Sequence, residues 1–267
     1  MIIFRELLTI RRSIPRNVYI GIGISAFVIA FGIWCILSYG GIVKPFFLPS
    51  PDDVAKAAVD LFRKYELLKD IQASVLRVSL AFTFSAVLAL PLGILIGSFK
   101  IAEAFFEPMN DFIRYMPVPA FIPLTILWLG VGDSAQIALI FIGTFFQLTI
   151  MVADCVAQVR HELLESAYTL GYRPLGVLRK VILPAAMPGI FDNLRVAVGW
   201  AWSYLILAEV IAANVGLGHM IMQSQRYLRT ANVIAGIIII GIIGLMIDYL
   251  FKLSYRFFFP WSEKESH

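Results

Sequence analysis

The chain is poor in what a soluble domain uses to face water. Only 15% of its 267 residues are Asp, Glu, Lys or Arg, while 60% come from the apolar set; a soluble domain of this size carries about 25% charged residues. Cysteine is scarce too. Cys35 and Cys155 both lie in apolar runs with no metal-ligand spacing, so they read as small packing residues. The three histidines, His161, His219 and His267, fall in loops or the tail. A membrane-embedded enzyme needs a clustered nucleophile, acid–base pair or metal set, and no such cluster is evident. No G-x-x-x-x-G-K-[ST] stretch occurs, so the usual cradle for ATP phosphates is missing. Nor does any linker, low-complexity stretch or evident repeat divide residues 1–267, which read as one domain.

What is present is apolar length. Six runs, at about 18–39, 72–98, 109–130, 134–156, 188–213 and 231–254, are long enough to cross a hydrocarbon core of about 30 Å as helix. The expectation is an all-α polytopic membrane protein with six spans. The first run exceeds a signal-peptide core and lacks a small-x-small cleavage site, so it is kept as a span. The third contains "MPVPAFIP", with three prolines, and is expected to break or kink where it faces protein.

Charge placement sets the orientation. With the N-terminus inside, the cytoplasmic pieces hold Arg5, Arg11, Arg12, Arg16, Lys100, Arg160, Arg173, Arg179, Lys180, Lys252, Arg256 and Lys264. The longest outer piece, 41–70, balances its five bases with five acids. The basic excess puts both termini in the cytoplasm. The net charge of +4 is accounted for in the same way and calls for no nucleic acid. Within 41–70, Ser50 as cap, Pro51 at the first helical position and Asp52 and Asp53 in the first turn predict a surface helix. Its apolar face is expected to be Val54, Ala58, Leu61 and Phe62.

Segment 157–187, between the fourth and fifth spans, contains "ESAYTLGYRPLGVLRKVILP". It parses as a helix ending at Gly171, a turn, and a second helix started by Pro174 and closed by Pro184. A helix merely lying on headgroups needs no tight glycine turn, so the element should project. The spacing Glu165-Ser166-Ala167, Gly171, then Val181-Ile182-Leu183-Pro184 resembles the "EAA" loop of permease subunits of bacterial binding-protein-dependent ABC importers, with serine for the first alanine. "LPSP" (48–51), "MPVPAFIPLTILWLGVGDSAQI" (116–137) and "AEVIAANVGLGHMI" (208–221) resemble the branch for nitrate, bicarbonate, taurine and other sulfonates.

The resemblance implies a type I importer fold in the bacterial inner membrane, with a core of five helices per subunit. It implies a second permease copy alongside, cytoplasmic ABC ATPase subunits that hold ATP and Mg, and an extracytoplasmic substrate-binding protein; this chain itself binds no cofactor. Glu165, Ser166, Ala167, Gly171, Val181, Leu183 and Pro184 would then couple to the ATPase. For the translocation path the candidates are Met116 and Pro117 at the kink, Gln147 and Thr149 on the fourth span, and Trp202, Ser203 and Tyr204 on the fifth. Glu209 either lines the outer vestibule or holds "ANVGLG" in place, the second being preferred. Asp192 and Arg195, three apart, are expected to pair. Arg77, Arg114, Asp154 and Asp248 are placed near span ends, where snorkelling or interface pairing suffices. An ion-gradient-driven secondary transporter is the alternative, weakened by the few acids at membrane depth.

Overall fold

The computed structural model describes residues 15–64 and 66–261. Arg5, Arg11, Arg12, Lys264 and His267 lie outside them. Among the described residues the chain is helical, without strands. In order these are α1 (Arg16–Tyr39), α2 (Pro51–Lys64), α3 (Leu67–Ser98), α4 (Lys100–Arg114), a 3-10 turn (Val118–Phe121), α5 (Ile122–Leu129), α6 (Asp133–Ala157), α7 (His161–Thr169), α8 (Pro174–Val177), a π turn (Leu178–Ile182), α9 (Leu183–Ala212), α10 (Leu217–Arg226) and α11 (Thr230–Phe258).

Five of these segments are long and apolar enough to cross a bilayer. The pair α4 and α5 adds a sixth, bent by 88° at its break. Pair contacts show that this pair crosses. Ser85 meets Thr144, Gly93 meets Thr149, and Gly97 meets Ala153, so α3 and α6 run parallel. The 34 residues between Ser98 and Asp133 must therefore return from one end of the bundle to the other. The break falls at Tyr115–Pro117, where the prolines of "MPVP" interrupt the helix ladder, as expected.

Close approach of α3 and α6 makes the core. Ser85, Ala89, Gly93 and Gly97 recur every four residues on one face of α3, the small-residue spacing that lets helices pack backbone to backbone in lipid. A methyl group at Gly93 would stand 2.6 Å from the Thr149 carbonyl oxygen, and one at Gly97 2.4 Å from that of Ala153. The Ser85 and Thr144 hydroxyls, both fully buried, share a 2.7 Å hydrogen bond across the seam. On the other side of α6, Gly143 receives the Tyr204 ring of α9. Helix α11 packs on α9, and Phe191 near the start of α9 touches Phe251, Tyr255, Phe258 and Phe259.

Helix α2 begins as expected. Ser50 Oγ accepts from the Asp53 backbone amide at 3.4 Å and donates to its carboxylate at 2.7 Å. Its buried stripe is Val54, Ala57 and Leu61. Phe62 is exposed and Ala58 only half-buried, a correction to the expected face: the stripe follows the groove between α3 and α11. Helix α1 is exposed over its N-terminal half, and its C-terminal part, with Trp34, Cys35, Leu37 and Ser38 half-buried, is tied down. There the Trp34 indole donates to Pro49 O at 3.0 Å, and the Tyr39 hydroxyl donates to Asp52. That bond, with a second from Ser50, pulls the Asp52 carboxyl down to about 2.

Replacing Gly93 by Val is expected to destabilise the chain by about 1–3 kcal/mol, as overpacking of a rigid seam does. Gly241, which has open space where its side chain would be, should accept Ala with little change. Thermal unfolding of the detergent-purified variants reads the difference.

Candidate functional site: a knob and a buried lock

Two constructions stand at opposite ends of α9. At one end, α7 stops in a complete Schellman turn. Tyr172 N donates to Ala167 O at 3.1 Å and Gly171 N to Tyr168 O at 2.9 Å, with Gly171 at φ +82°. Only glycine holds that left-handed position without strain. Chain direction then reverses and Pro174 opens α8. Ala167, Val177 and Ile182 are buried, with Leu164, Leu178 and Val181 around them, in one core that continues into the spans through Val152, Val156 and Ala186. Glu165 and Ser166 are exposed; Ser166 Oγ donates to Glu162 O. The Glu162 carboxyl is held below the usual range, first by its own backbone amide in the first turn and then by Arg160. Leu163, Tyr168, Leu170 and Leu175 form an exposed apolar crest.

Pro184 does not close the second helix, contrary to the expectation. The chain stays helical from Pro174 to Ala212, because a π turn precedes the proline and Leu183 N reaches back to Leu178 O. The widened turn gives the ring room where an α-helix would clash. Leu183 and Pro184 are thus the first residues of α9. The knob is built onto the same rod that crosses the membrane.

At the other end of α9 lies the lock. Glu209 is fully buried and Arg77 nearly so, and Arg77 Nη1 meets Glu209 Oε1 at 2.6 Å. Arg77 also donates from Nε to Asp133 Oδ1 at 2.9 Å, its Nη2 lying 2.7 Å from the same oxygen, and from Nη1 to Val215 O at 2.7 Å. Ser74 Oγ donates to Glu209 Oε1 at 2.7 Å and accepts from Leu217 N at 2.9 Å. Gly218 N donates to Glu209 Oε2 at 2.8 Å, and Gly216 N to Asp70 Oδ1 at 2.8 Å. Gly216 and Gly218 have no room for a side chain, since a methyl on either would strike Glu209. The result ties α3, the start of α6, the end of α9 and the 213–218 turn into one ionic cluster. Of the two readings for Arg77, pairing holds and snorkelling does not: the side chain is buried among its partners. Helix α10, which the turn launches, was not anticipated from sequence; Leu217 and Met220 are its buried positions.

The path candidates fall in several places. Thr149 is fully buried and its hydroxyl donates to Phe145 O within its own helix. Tyr204 packs on Gly143, and Trp202 is buried at the floor of a groove of about 450 Å³ between α9 and α11, with Ser203 exposed at its side. Gln147 and Met116 are half-buried and Pro117 is exposed. Arg195 pairs with Asp248 of α11, a partner from another helix that its own helix's spacing did not indicate.

A bundle of spans with a projecting knob, one broken helix and a locked far end is the membrane-embedded part of a transporter that works with partner proteins. Residues 89–264 match the model of the binding-protein-dependent transport system inner membrane component, and the chain belongs to that family. It is 34% identical over 241 residues to the aliphatic sulfonates transport permease protein SsuC of Bacillus subtilis, covering 90% of this chain and 87% of that one. It is 30% identical over 256 residues to the taurine transport system permease protein TauC of Escherichia coli, covering 94% and 92%. An inward-facing structure of the MetNI methionine ABC transporter shares the fold, with a TM-score of 0.64 at 20% identity over 72% of this chain and 96% of the other. The protein is a multi-pass ABC importer permease of the inner membrane. An ion-gradient-driven carrier is not favoured.

Replacing Arg77 by Met leaves Glu209 buried without its counter-charge, and the loss of stability should be about 3–5 kcal/mol. The double variant Arg77→Met with Glu209→Met should recover much of that. A double-mutant cycle on thermal unfolding in detergent is the measurement; purely additive losses would show that the pair does not act as a unit.

Proposed function

We propose that this permease carries small oxyanions, sulfonates among them, from an extracytoplasmic binding protein to the cytoplasm, driven by a separate ABC ATPase. The knob faces the cytoplasm in this reading, both termini with it, and the lock lies at the outer face. A second copy of the chain completes the path. ATP and Mg belong to the ATPase, and this chain holds neither.

One observation carries the reading. A membrane domain has little use for an apolar crest on a part that projects beyond its spans, yet Leu170 at the tip of the knob is 78% exposed. An exposed apolar cluster rimmed by charge marks a protein contact. Arg173, Arg179 and Lys180 surround the crest, in keeping with the excess of bases on the cytoplasmic side. Glu165, Ser166 and Gly171 shape the crest, Ala167 and Val181 core it, and Leu183 and Pro184 join it to α9. Movement of a bound ATPase would thus act on a spanning helix directly. Substrate class rests on the sulfonate and taurine permeases that the chain resembles. For the path itself we favour the kink residues Met116 and Pro117 and the half-buried Gln147. Thr149, Trp202, Tyr204 and Glu209 are better suited to packing and positioning.

Gly171→Pro removes the amide that donates to Tyr168 O and demands a negative φ where +82° is needed. The variant should keep its spans and its monodispersity but lose co-purification of the ATPase, and ATP-driven uptake of taurine and ethanesulfonate should fall at least tenfold. Unchanged co-purification with normal uptake would remove the coupling role.

A further inference from the structure

Three arginines are drawn into the bundle, and they differ in what satisfies them. Arg77 has a carboxylate on each side and a carbonyl besides, and Arg195 has Asp248. Arg114 is less tightly held than Arg77. Its Nε is buried and lies 2.8 Å from Asp111 Oδ1 without the alignment of a hydrogen bond, and its Nη2 reaches only the Tyr115 hydroxyl at 3.3 Å. The guanidinium also lies over the Tyr115 ring, 4.8 Å from its centroid; among the described residues, a group with five donors has one long hydrogen bond, one ion pair and this ring contact.

Its depth makes this costly. Asn110 Nδ2 donates to Phe146 O at 3.0 Å, and Phe146 is near the middle of the 25-residue span α6. Arg114 lies one turn further along α4, about 6 Å on. It therefore stands near mid-membrane, at the end of the helix where the span bends by 88°. Charged side chains at that depth face a water-filled or protein-enclosed space and mark function.

The rest of α4 indicates which space. Ile101, Phe105, Met109 and Phe112 form an exposed apolar face suited to lipid or a partner helix. Asn110 faces α6. The third side is a charged stripe running from the knob end to the break, with Glu103, Glu107, Asp111 and Arg114 half-buried and Lys100 exposed at its start. Such a stripe cannot border hydrocarbon, so it borders the aqueous route that an importer must open. Arg114 is its deepest member.

We infer that Arg114 is the oxyanion contact of the translocation path, taking a sulfonate or nitrate oxygen pair on its unfilled Nη edge as the solute passes the break. The inference rests on the proposed transport of oxyanions. Guanidinium suits this ligand because its parallel N–H groups match two oxygens at once. Asp111 has a complementary effect. A bare guanidinium at low dielectric would hold an anion too firmly to release it, and conduction requires contacts weak enough to leave. The carboxylate beside Nε lowers the local field.

The test is uptake of nitrate, taurine and ethanesulfonate by the whole importer in proteoliposomes, with its ATPase and binding protein. ATP hydrolysis stimulated by the loaded binding protein is recorded in parallel. Arg114→Gln should reduce uptake of all three anions at least tenfold while stimulated ATP hydrolysis stays within twofold, and Arg114→Lys should restore a substantial part of the uptake. Normal uptake by Arg114→Gln would overturn the assignment. So would an equal loss of uptake and hydrolysis in both variants, which is the mark of a structural role. If the unaltered importer takes up none of the three anions, the substrate class falls and the assignment with it.

Discussion

Hydrocarbon supplies no hydrogen bonds, so every polar group that enters the bundle must be met by another part of the chain or by water admitted on purpose. This constraint orders the structure. It explains why α3 and α6 meet along Ser85, Ala89, Gly93 and Gly97: only small side chains let two backbones approach closely enough for dispersion to hold them, since lipid is as apolar as leucine and no hydrophobic gain drives the contact. It also explains why the hydroxyls of that seam are bonded, Ser85 to Thr144 across the helices and Thr149 to its own backbone. The lock at the far end follows the same rule at higher stakes, with Arg77 facing two carboxylates and a carbonyl and leaving little donor capacity unused.

Helix α9 joins the two functional ends. Its first residues leave the π turn under the knob, and its last turn carries Glu209, 26 residues and about 39 Å away at 1.5 Å per residue. A force applied to the knob crest is therefore delivered to a rod whose other end is pinned in a buried ionic cluster. The π turn is the point along that rod where the ladder is loosest, because its hydrogen bonds span five residues instead of four. Such turns tend to sit at functional positions, and here the turn lies between the part that projects and the part that spans. A knob on a flexible loop would dissipate a push; a knob continuous with a span transmits it.

Local chemistry was legible in the sequence and distant pairing was not. Gly171 and Pro174 announced the reversal of the knob, Ser50 and Pro51 the start of α2, and the prolines of "MPVP" the break near mid-membrane. Each is a backbone restriction that acts within a few residues. Pro184 misled because its usual meaning, a helix end, holds for an α-helix but not after a π turn. Arg77 and Glu209 are 132 positions apart, and nothing in a single chain of letters states that they meet. Arg195 reaches Asp248 on the last span, a partner that local spacing does not reveal, because packing of α9 on α11 brings a carboxylate within range. Helix α10 was hidden for a related reason: its ten residues read as polar loop until the 213–218 turn is held by Glu209 and Asp70.

The same constraint separates structure from function among the charged residues. A saturated ion cluster such as Arg77 with Glu209 and Asp133 has little left to offer a passing solute, since any new partner must displace one already in place. Its value lies in holding four segments in register. An undersatisfied guanidinium is the reverse case: it contributes less to the fold than it costs, and the break beside it forgoes helix hydrogen bonds as well. The fold carries that cost only where the close packing of α3 with α6 is strong enough to offset it. The close α3–α6 seam and the half-buried Arg114 are thus two sides of one arrangement, with rigidity concentrated along α3 and α6 so that α4 can bring an open charge to the middle of the membrane.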